Sequence, residues 1–281
     1  MKRNKNATPA VFVHGAFCGG WAFETFRERF EAAGFETHAP TLPHHEQGAD
    51  LEQLAQTGLK DYALAIAEYV RPLHAAPVLI GHSLGGLVVQ LVAMSAPVAA
   101  LVLLAPSAPW GVPLTTLDEH SNQFGLTLLG DYWRRPIPPD FRVARATTLD
   151  RLTREDAREA FARFVPESGR AIRETLQWWS DTSTASQAPV YRINAPVLGI
   201  AGGKDRVNPA STVHRIITRF PGGQADYQEF PEMSHWLIGE PEAPQVASAA
   251  LKWLDARGVS AKQPKRLQLS LFGWGDRPQA N

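Results

Sequence analysis

The chain has 281 residues, 44 % of them hydrophobic, and its 28 Lys and Arg are balanced by 28 Asp and Glu. That length and apolar content suit one large domain, or one domain with an insertion, and exclude a disordered chain. A formal net charge of zero gives no electrostatic reason to expect nucleic acid or an anionic membrane as the main partner. Cys18 is the single cysteine, so no internal disulfide can form. No apolar stretch reaches the roughly 18 residues that cross a bilayer. The basic start MKRNKNATPA has no signal-type apolar segment behind it, and a cytoplasmic location is expected.

In chain order, apolar runs bounded by Gly or Pro at residues 10–13, 35–39, 78–80, 101–104, 197–200 and roughly 225–230 read as buried parallel strands. Helical patterns fall between most of them, at 21–33, 51–70, 87–94, 209–219 and 243–256. This alternation predicts an α/β fold, a mainly parallel sheet with helices on both faces. Between Leu104 and Val197 the alternation stops. No convincing strand is visible there, and helices are expected at 153–164 and 168–179. Thr153-Arg154-Glu155-Asp156 resembles a capping box with Asp in place of the usual Glu or Gln. The expected division is a core of 1–110 and 195–257, a helical cap of 111–194 over one sheet edge, and a tail of 258–281.

The stretch GHSLGG (81–86) stands where a strand pattern ends and a helix pattern begins. G-x-S-x-G in that context is a nucleophile elbow, a tight turn that holds Ser83 clear of its neighbours. A serine hydroxyl is a weak nucleophile and needs a base, and the base needs an orienting acid. In this layout the order is Ser, acid, His, each beyond a strand end. Asp205 in GGKDRVNP and His235 in PEMSHWLIG meet that order. Their alternative readings are a helix N-cap or surface charge for Asp205 and a packed loop histidine for His235. A tetrahedral intermediate also needs two N–H donors. Leu84, after the serine, and Ala16, in the loop VFVHGAFCGGW, are the expected pair, with Phe17 as second choice for the latter. His14 is expected to be a structural hydrogen-bonder.

HGAFCGGW, GHSLGG, GGKDRVNP and SHWL in this order resemble the α/β-hydrolase superfamily, in its serine carboxylesterase-like branch with a helical cap. The HGA-x-x-GGW opening is similar to that of plant methylesterases and hydroxynitrile lyases. The resemblance spans about residues 8–256 and implies the family's eight-stranded sheet, with its first two strands expected to be missing or vestigial ahead of Ala10. It implies Ser83, Asp205 and His235 as catalytic residues and the Ala16 and Leu84 N–H groups as the oxyanion hole. Superfamily members that open epoxides or remove halide carry Asp at the elbow, so Ser83 argues against those reactions. The implied activity is cleavage of small to medium apolar or aromatic carboxylic esters through an acyl-enzyme. A hydroxynitrile-lyase-like enzyme, with Lys204 as the extra lysine, and a non-catalytic ligand-binding receptor are the alternatives.

Other features carry less. His44-His45-Glu46 does not form a metal site, since adjacent histidines rarely converge on one ion, and the LPHHEQG loop is expected to rim the pocket mouth. Cys18 reads as an apolar filler. Phe17, Trp110, Trp133, Trp178 and Trp236 are candidate substrate contacts that would favour bulky apolar groups, with core packing an equal alternative for the tryptophans. Trp178 and its neighbour Trp179 should point in different directions. No metal or organic cofactor is expected, the partner is a small ester substrate, and a homodimer is left open. QLSLF (268–272) resembles a clamp-docking peptide of replication proteins, but packing on the domain or on a second subunit is the favoured reading.

Overall fold

A computed structural model describes residues 7–128 and 130–261; the QLSLF segment lies outside the described residues. The first half runs β1 (Pro9–Val13), α1 (Glu24–Ala32), β2 (Glu36–His38), α2 (Leu51–Gln56), α3 (Leu59–Val70), β3 (Val78–His82), α4 (Leu84–Ala93) and β4 (Ala100–Leu104). A long insertion follows, with α5 (Leu117–Thr127), β5 (Pro136–Ile137), α6 (Phe141–Thr147), α7 (Arg154–Ala162), β6 (Glu167–Ser168) and α8 (Gly169–Leu176). The chain returns through β7 (Val197–Gly202), α9 (Ala210–Ile217), β8 (Ala225–Phe230) and α10 (Ala243–Ala256). The main sheet has the order β2-β1-β3-β4-β7-β8, and every neighbouring pair is parallel.

Successive side chains on a strand face opposite ways, and the apolar residues sort accordingly. Ala10, Phe12, Val78, Ile80, Val102 and Leu104 pack with Phe26 and Phe30 of α1 and with Val246, Ala250 and Leu254 of α10. Val11, Val13, Leu79, Leu101 and Leu103 pack with Leu59, Tyr62 and Ile66 of α3 and with Leu87 and Val88 of α4. A sheet covered on both faces needs apolar residues at every strand position, which is why these strands read as unbroken apolar runs. Full burial of a side chain such as Phe12, whose ring centroid lies 5.2 Å from those of Phe23 and Phe30, contributes roughly 1.5–3 kcal/mol.

Two expectations change. The helix expected over 51–70 is two helices, parted at Gly58. Asp61 Oδ2 accepts the Gly58 N–H at 2.8 Å, and Glu174 Oε2, from α8, accepts the Leu59 N–H at 2.7 Å. A Cβ on Gly58 would lie 2.7 Å from that same Glu174 oxygen, so the glycine makes room for the insertion. The insertion also holds a short antiparallel pair, β5 with β6, where no strand was expected. Two-residue strands are too brief to show alternation in a sequence.

Other details agree. Thr153 Oγ1 accepts the Asp156 N–H at 3.1 Å at the start of α7, and the Asp156 carboxylate takes the Thr153 hydroxyl at 2.7 Å. The insertion is fastened to the sheet domain by Arg163 on Glu24 and by Arg206 on Asp118. Among the described residues no helix is long and apolar enough to cross a membrane. The loops after β1, β3, β7 and β8 all leave the carboxyl ends of parallel strands, the edge where open α/β sheets bind ligands.

Candidate active site

Ser83 occupies the turn from β3 into α4 with φ 52° and ψ −120°. A non-glycine residue in that region carries roughly 1–3 kcal/mol of strain and persists only if its surroundings fix it. The Ser83 N–H donates to the Leu104 carbonyl at 3.0 Å, and the Ser83 carbonyl accepts from Gly86 and Ser107 at 2.9 Å each. The turn closes only on small residues. A Cβ on Gly81 would stand 2.3 Å from the Gly85 carbonyl oxygen, and one on Gly85 would stand 2.1 Å from that of Val13.

His235 Nε2 lies 2.9 Å from Ser83 Oγ, and His235 Nδ1 lies 2.8 Å from Asp205 Oδ2. A carboxylate only accepts, so the ring proton sits on Nδ1 and bare Nε2 accepts the Ser83 hydroxyl. The other Asp205 oxygen, Oδ1, takes the N–H groups of Val207 at 2.7 Å and Asn208 at 2.9 Å. Asn208 Nδ2 in turn donates to the Ala105 carbonyl at 2.8 Å, tying this loop to the end of β4. Ser83, Asp205 and His235 are all under a tenth exposed, so these contacts lie in a low-dielectric setting that strengthens them.

Two further histidines brace the site. His82 Nε2 donates to the His235 carbonyl at 2.8 Å, and its ring centroid lies 4.9 Å from that of His235. Burial, then the His235 charge, lowers its pKa to about 3, so it stays neutral. His14 Nε2 accepts the Leu42 N–H at 2.9 Å, which leaves its proton on Nδ1, donated to the Gly15 carbonyl at 2.8 Å. That is the structural role expected for His14. Burial, then the His45 charge, lowers its pKa to about 3.

The loop after β1 abuts the elbow, because a Cβ on Gly15 would stand 3.0 Å from Ser83 Cβ. Among the described residues, the Ala16 and Leu84 N–H groups donate to no other protein group. Leu84 is the first residue of α4, where an N–H has no intrahelical partner. The Phe17 N–H is engaged, donating to Glu167 Oε2 at 3.3 Å, and so does not compete with Ala16 as a free donor. A hydroxyl with a base behind it and free N–H donors beside it is suited to nucleophilic addition to a carbonyl.

Of the aromatic candidates, Phe17 lies on that loop, half-buried and at φ 65°. Trp236 is 3 % exposed and packs on His82, Trp21 and Phe164, so it is core that fixes the histidine loop. Trp133 lies under the Arg173 guanidinium and beside Tyr132, within the insertion. Trp110 and Trp178 pack on each other with centroids 5.4 Å apart. Trp179 is exposed while Trp178 is half-buried, yet their rings meet edge to face with centroids 5.9 Å apart. Lys204 pairs with Glu232 at the surface. His45 does not rim a pocket mouth: it is buried and bonded to Glu167. Cys18 is buried in the core.

One cluster near the histidine was not anticipated. Ser234 Oγ lies 2.6 Å from Asp150 Oδ1 and 2.9 Å from Glu240 Oε1. A hydroxyl has one proton, so one of the two carboxyls must supply a second. Burial, with the nearby Asp150 charge, holds Glu240 above its usual 4.5 against the hydrogen bonds from Ser234. A raised carboxyl pKa favours folding below the unfolded value, and that contribution is lost as pH rises through the folded value. Glu240→Gln, which cannot ionise, should therefore gain thermal stability relative to the native protein as pH rises from about 4.5. A difference in Tm that is constant from pH 4 to 8 would contradict this.

Comparison with known proteins agrees with this architecture. The family model described as alpha/beta hydrolase family matches residues 10–249. A pyrethroid hydrolase from Sphingobium wenxiniae is 31 % identical over 241 residues, covering 80 % of this chain and 84 % of that one. A pimeloyl-[acyl-carrier protein] methyl ester esterase from Xanthomonas campestris is 28 % identical over 76 % of this chain and 83 % of its own. The crystal structure of an Arabidopsis methylesterase superposes with a TM-score of 0.66 at 16 % identity, covering 89 % of this chain and 99 % of that one. With a six-stranded parallel sheet, a serine elbow at its centre and a family model matching most of its length, the chain belongs to the alpha/beta hydrolase family.

Proposed function

We propose that the protein is a serine carboxylesterase that cleaves small to medium apolar or aromatic esters through an acyl-enzyme on Ser83. The observation that carries this reading is the chain of contacts Ser83 Oγ to His235 Nε2 to Asp205 Oδ2, at 2.9 and 2.8 Å, ending on a strained elbow. Relatives named as ester hydrolases support the reaction class. Ser83 Oγ adds to the ester carbonyl as His235 Nε2 takes its proton. Asp205 holds the ring and stabilises the imidazolium. The Ala16 and Leu84 N–H groups receive the charge that develops on the carbonyl oxygen, each worth about 10²–10³ in rate. His235 then protonates the leaving alcohol, and water repeats the sequence on the acyl-enzyme. Residues 111–194 act as a cap that limits access to Ser83.

The lyase alternative requires a lysine at the site, and Lys204 is committed to Glu232 at the surface. The test is covalent labelling. A fluorophosphonate should add once per chain, at Ser83, and abolish hydrolysis of p-nitrophenyl esters. Ser83→Ala should be neither labelled nor active. Labelling elsewhere, or undiminished turnover by the alanine variant, would overturn the reading.

A further inference from the structure

The buried groups around Phe17 are not used in the chemistry above, yet they hold the loop that carries Ala16. Glu167, from β6 of the insertion, has a fully buried side chain and receives four donors. Its Oε1 accepts the Tyr62 hydroxyl and the Ser168 N–H, each at 2.7 Å. Its Oε2 accepts His45 Nε2 at 3.0 Å and the Phe17 N–H at 3.3 Å. The insertion holds Phe17 a second time, through the Val165 N–H on the Phe17 carbonyl at 2.9 Å.

The protons on His45 follow from its partners. Nδ1 lies 2.9 Å from the Pro43 carbonyl, which only accepts, and Nε2 faces the Glu167 carboxylate. Both ring nitrogens therefore carry protons, and His45 is an imidazolium paired with a carboxylate in the protein interior. Burial alone would lower the His45 pKa, but the charge and hydrogen bond of Glu167 outweigh it and raise the value. Burial alone would raise that of Glu167, but the charge and hydrogen bond of His45, with the Tyr62 and Ser168 donors, lower it.

The consequence is geometric. In a trans peptide the carbonyl and the N–H point in opposite directions. Holding the Gly15 carbonyl on His14 Nδ1 therefore sets the direction of the Ala16 N–H. Holding the Phe17 N–H on Glu167 does the same for the Ala16 carbonyl. Phe17 itself sits at φ 65°, a conformation a bulky residue adopts only when held. A buried ion pair is weak evidence of stabilisation in general, since apolar packing often does as well. Here each of its hydrogen bonds has a stated address, and one of them is the oxyanion loop.

We infer that Glu167 and His45 are positioning residues: the cap's buried carboxylate, held charged by its imidazolium partner, clamps the Phe17 N–H and fixes the Ala16–Phe17 peptide, so that together with His14 on the Gly15 carbonyl it holds the backbone on both sides of the Ala16 N–H toward the reacting carbonyl oxygen. This rests on the reading of Ser83 as nucleophile and Ala16 as oxyanion donor. It makes the hole incomplete until the insertion is docked. Substrate access and transition-state stabilisation are then controlled by one segment.

The test compares an ester with its thionoester, whose sulfur is a poor partner for oxyanion donors. In Glu167→Gln the amide oxygen can still serve Tyr62 and Ser168. The amide N–H₂ then faces the Phe17 N–H, donor against donor, while His45 Nε2, no longer opposite a carboxylate, can give up its proton and accept from the amide; the clamp on Phe17 is lost. The expected result is a fall in kcat of about 10-fold to 100-fold, below the ~10²–10³ for outright loss of a donor. KM should change less than threefold, and the ester-to-thionoester rate ratio should fall in step with kcat. His45→Gln, which can still donate to Glu167 but carries no charge, should move the same ratio in the same direction by a smaller factor. It carries the test if the first variant does not fold. A folded variant of either kind with the native ratio would overturn the proposal, because a lesion elsewhere slows both substrates alike. If the native protein is unlabelled by fluorophosphonate and turns over neither ester, the hydrolase reading has failed instead.

Discussion

Asp205→Asn is expected to lower kcat by about 10⁴ while leaving KM and thermal stability close to native. The reason is the direction of the protons at that residue. Oδ1 accepts the Val207 and Asn208 N–H groups, which need an oxygen opposite them. In the asparagine variant the amide oxygen must take that place, so the N–H₂ faces His235 Nδ1 across the 2.8 Å contact. The imidazole can answer only by offering a lone pair at Nδ1, which moves its proton to Nε2. Nε2 then presents a proton to Ser83 Oγ and can no longer remove one. Steady-state kinetics with a p-nitrophenyl ester, beside a thermal melt, checks this. A loss below tenfold would mean that another group holds the ring.

Gly85→Ala should be strongly destabilising although it adds a single methyl group. The added Cβ would lie 2.1 Å from the Val13 carbonyl oxygen and 2.4 Å from that of His14. Both are backbone atoms, so no side chain can rotate away and α4 must shift from the end of β1. Overpacking of this kind costs typically 1–3 kcal/mol and occasionally more. We expect the upper end, about 3 kcal/mol, which lowers Tm by roughly 6–12 °C for a chain of this size. Activity should fall at temperatures where the variant is still folded, because the end of β1 leads into the Ala16 loop. Among the described residues, no atom lies within 4 Å of where a Cβ on Gly125, in α5, would stand, and Gly125→Ala is the matched control, with Tm unchanged or slightly raised. Equal melting of the two variants would remove the crowding argument.

The sheet and its central turn were legible because short-range physics writes them locally. Strands buried on both faces must be apolar throughout, and the elbow must have glycine at 81 and 85, so both leave marks within a few residues. The order Ser83, Asp205, His235 was legible because each residue follows its own strand. Other features depend on encounters between distant segments. Glu167 meets Tyr62 at 105 residues' separation, His45 at 122 and the Phe17 N–H at 150. Nothing near residue 167 marks that glutamate as buried, and the loop around His45 reads as polar rim. The break at Gly58 is set by Glu174 on another helix. Trp236 was ambiguous for a related reason: a large aromatic beside a candidate site histidine can line a pocket or pack beneath it, and neighbours on remote segments decide.

The contact between Ser83 and His235 joins residues 152 positions apart, across strands that are not neighbours in the sheet. No local segment of the chain holds both groups. Without the last strand and the loop after it, Ser83 stands at its turn with no partner for its hydroxyl from His235. Turnover therefore requires the whole assembly, and a chain cut before β8 should have none however much of its helix content it keeps.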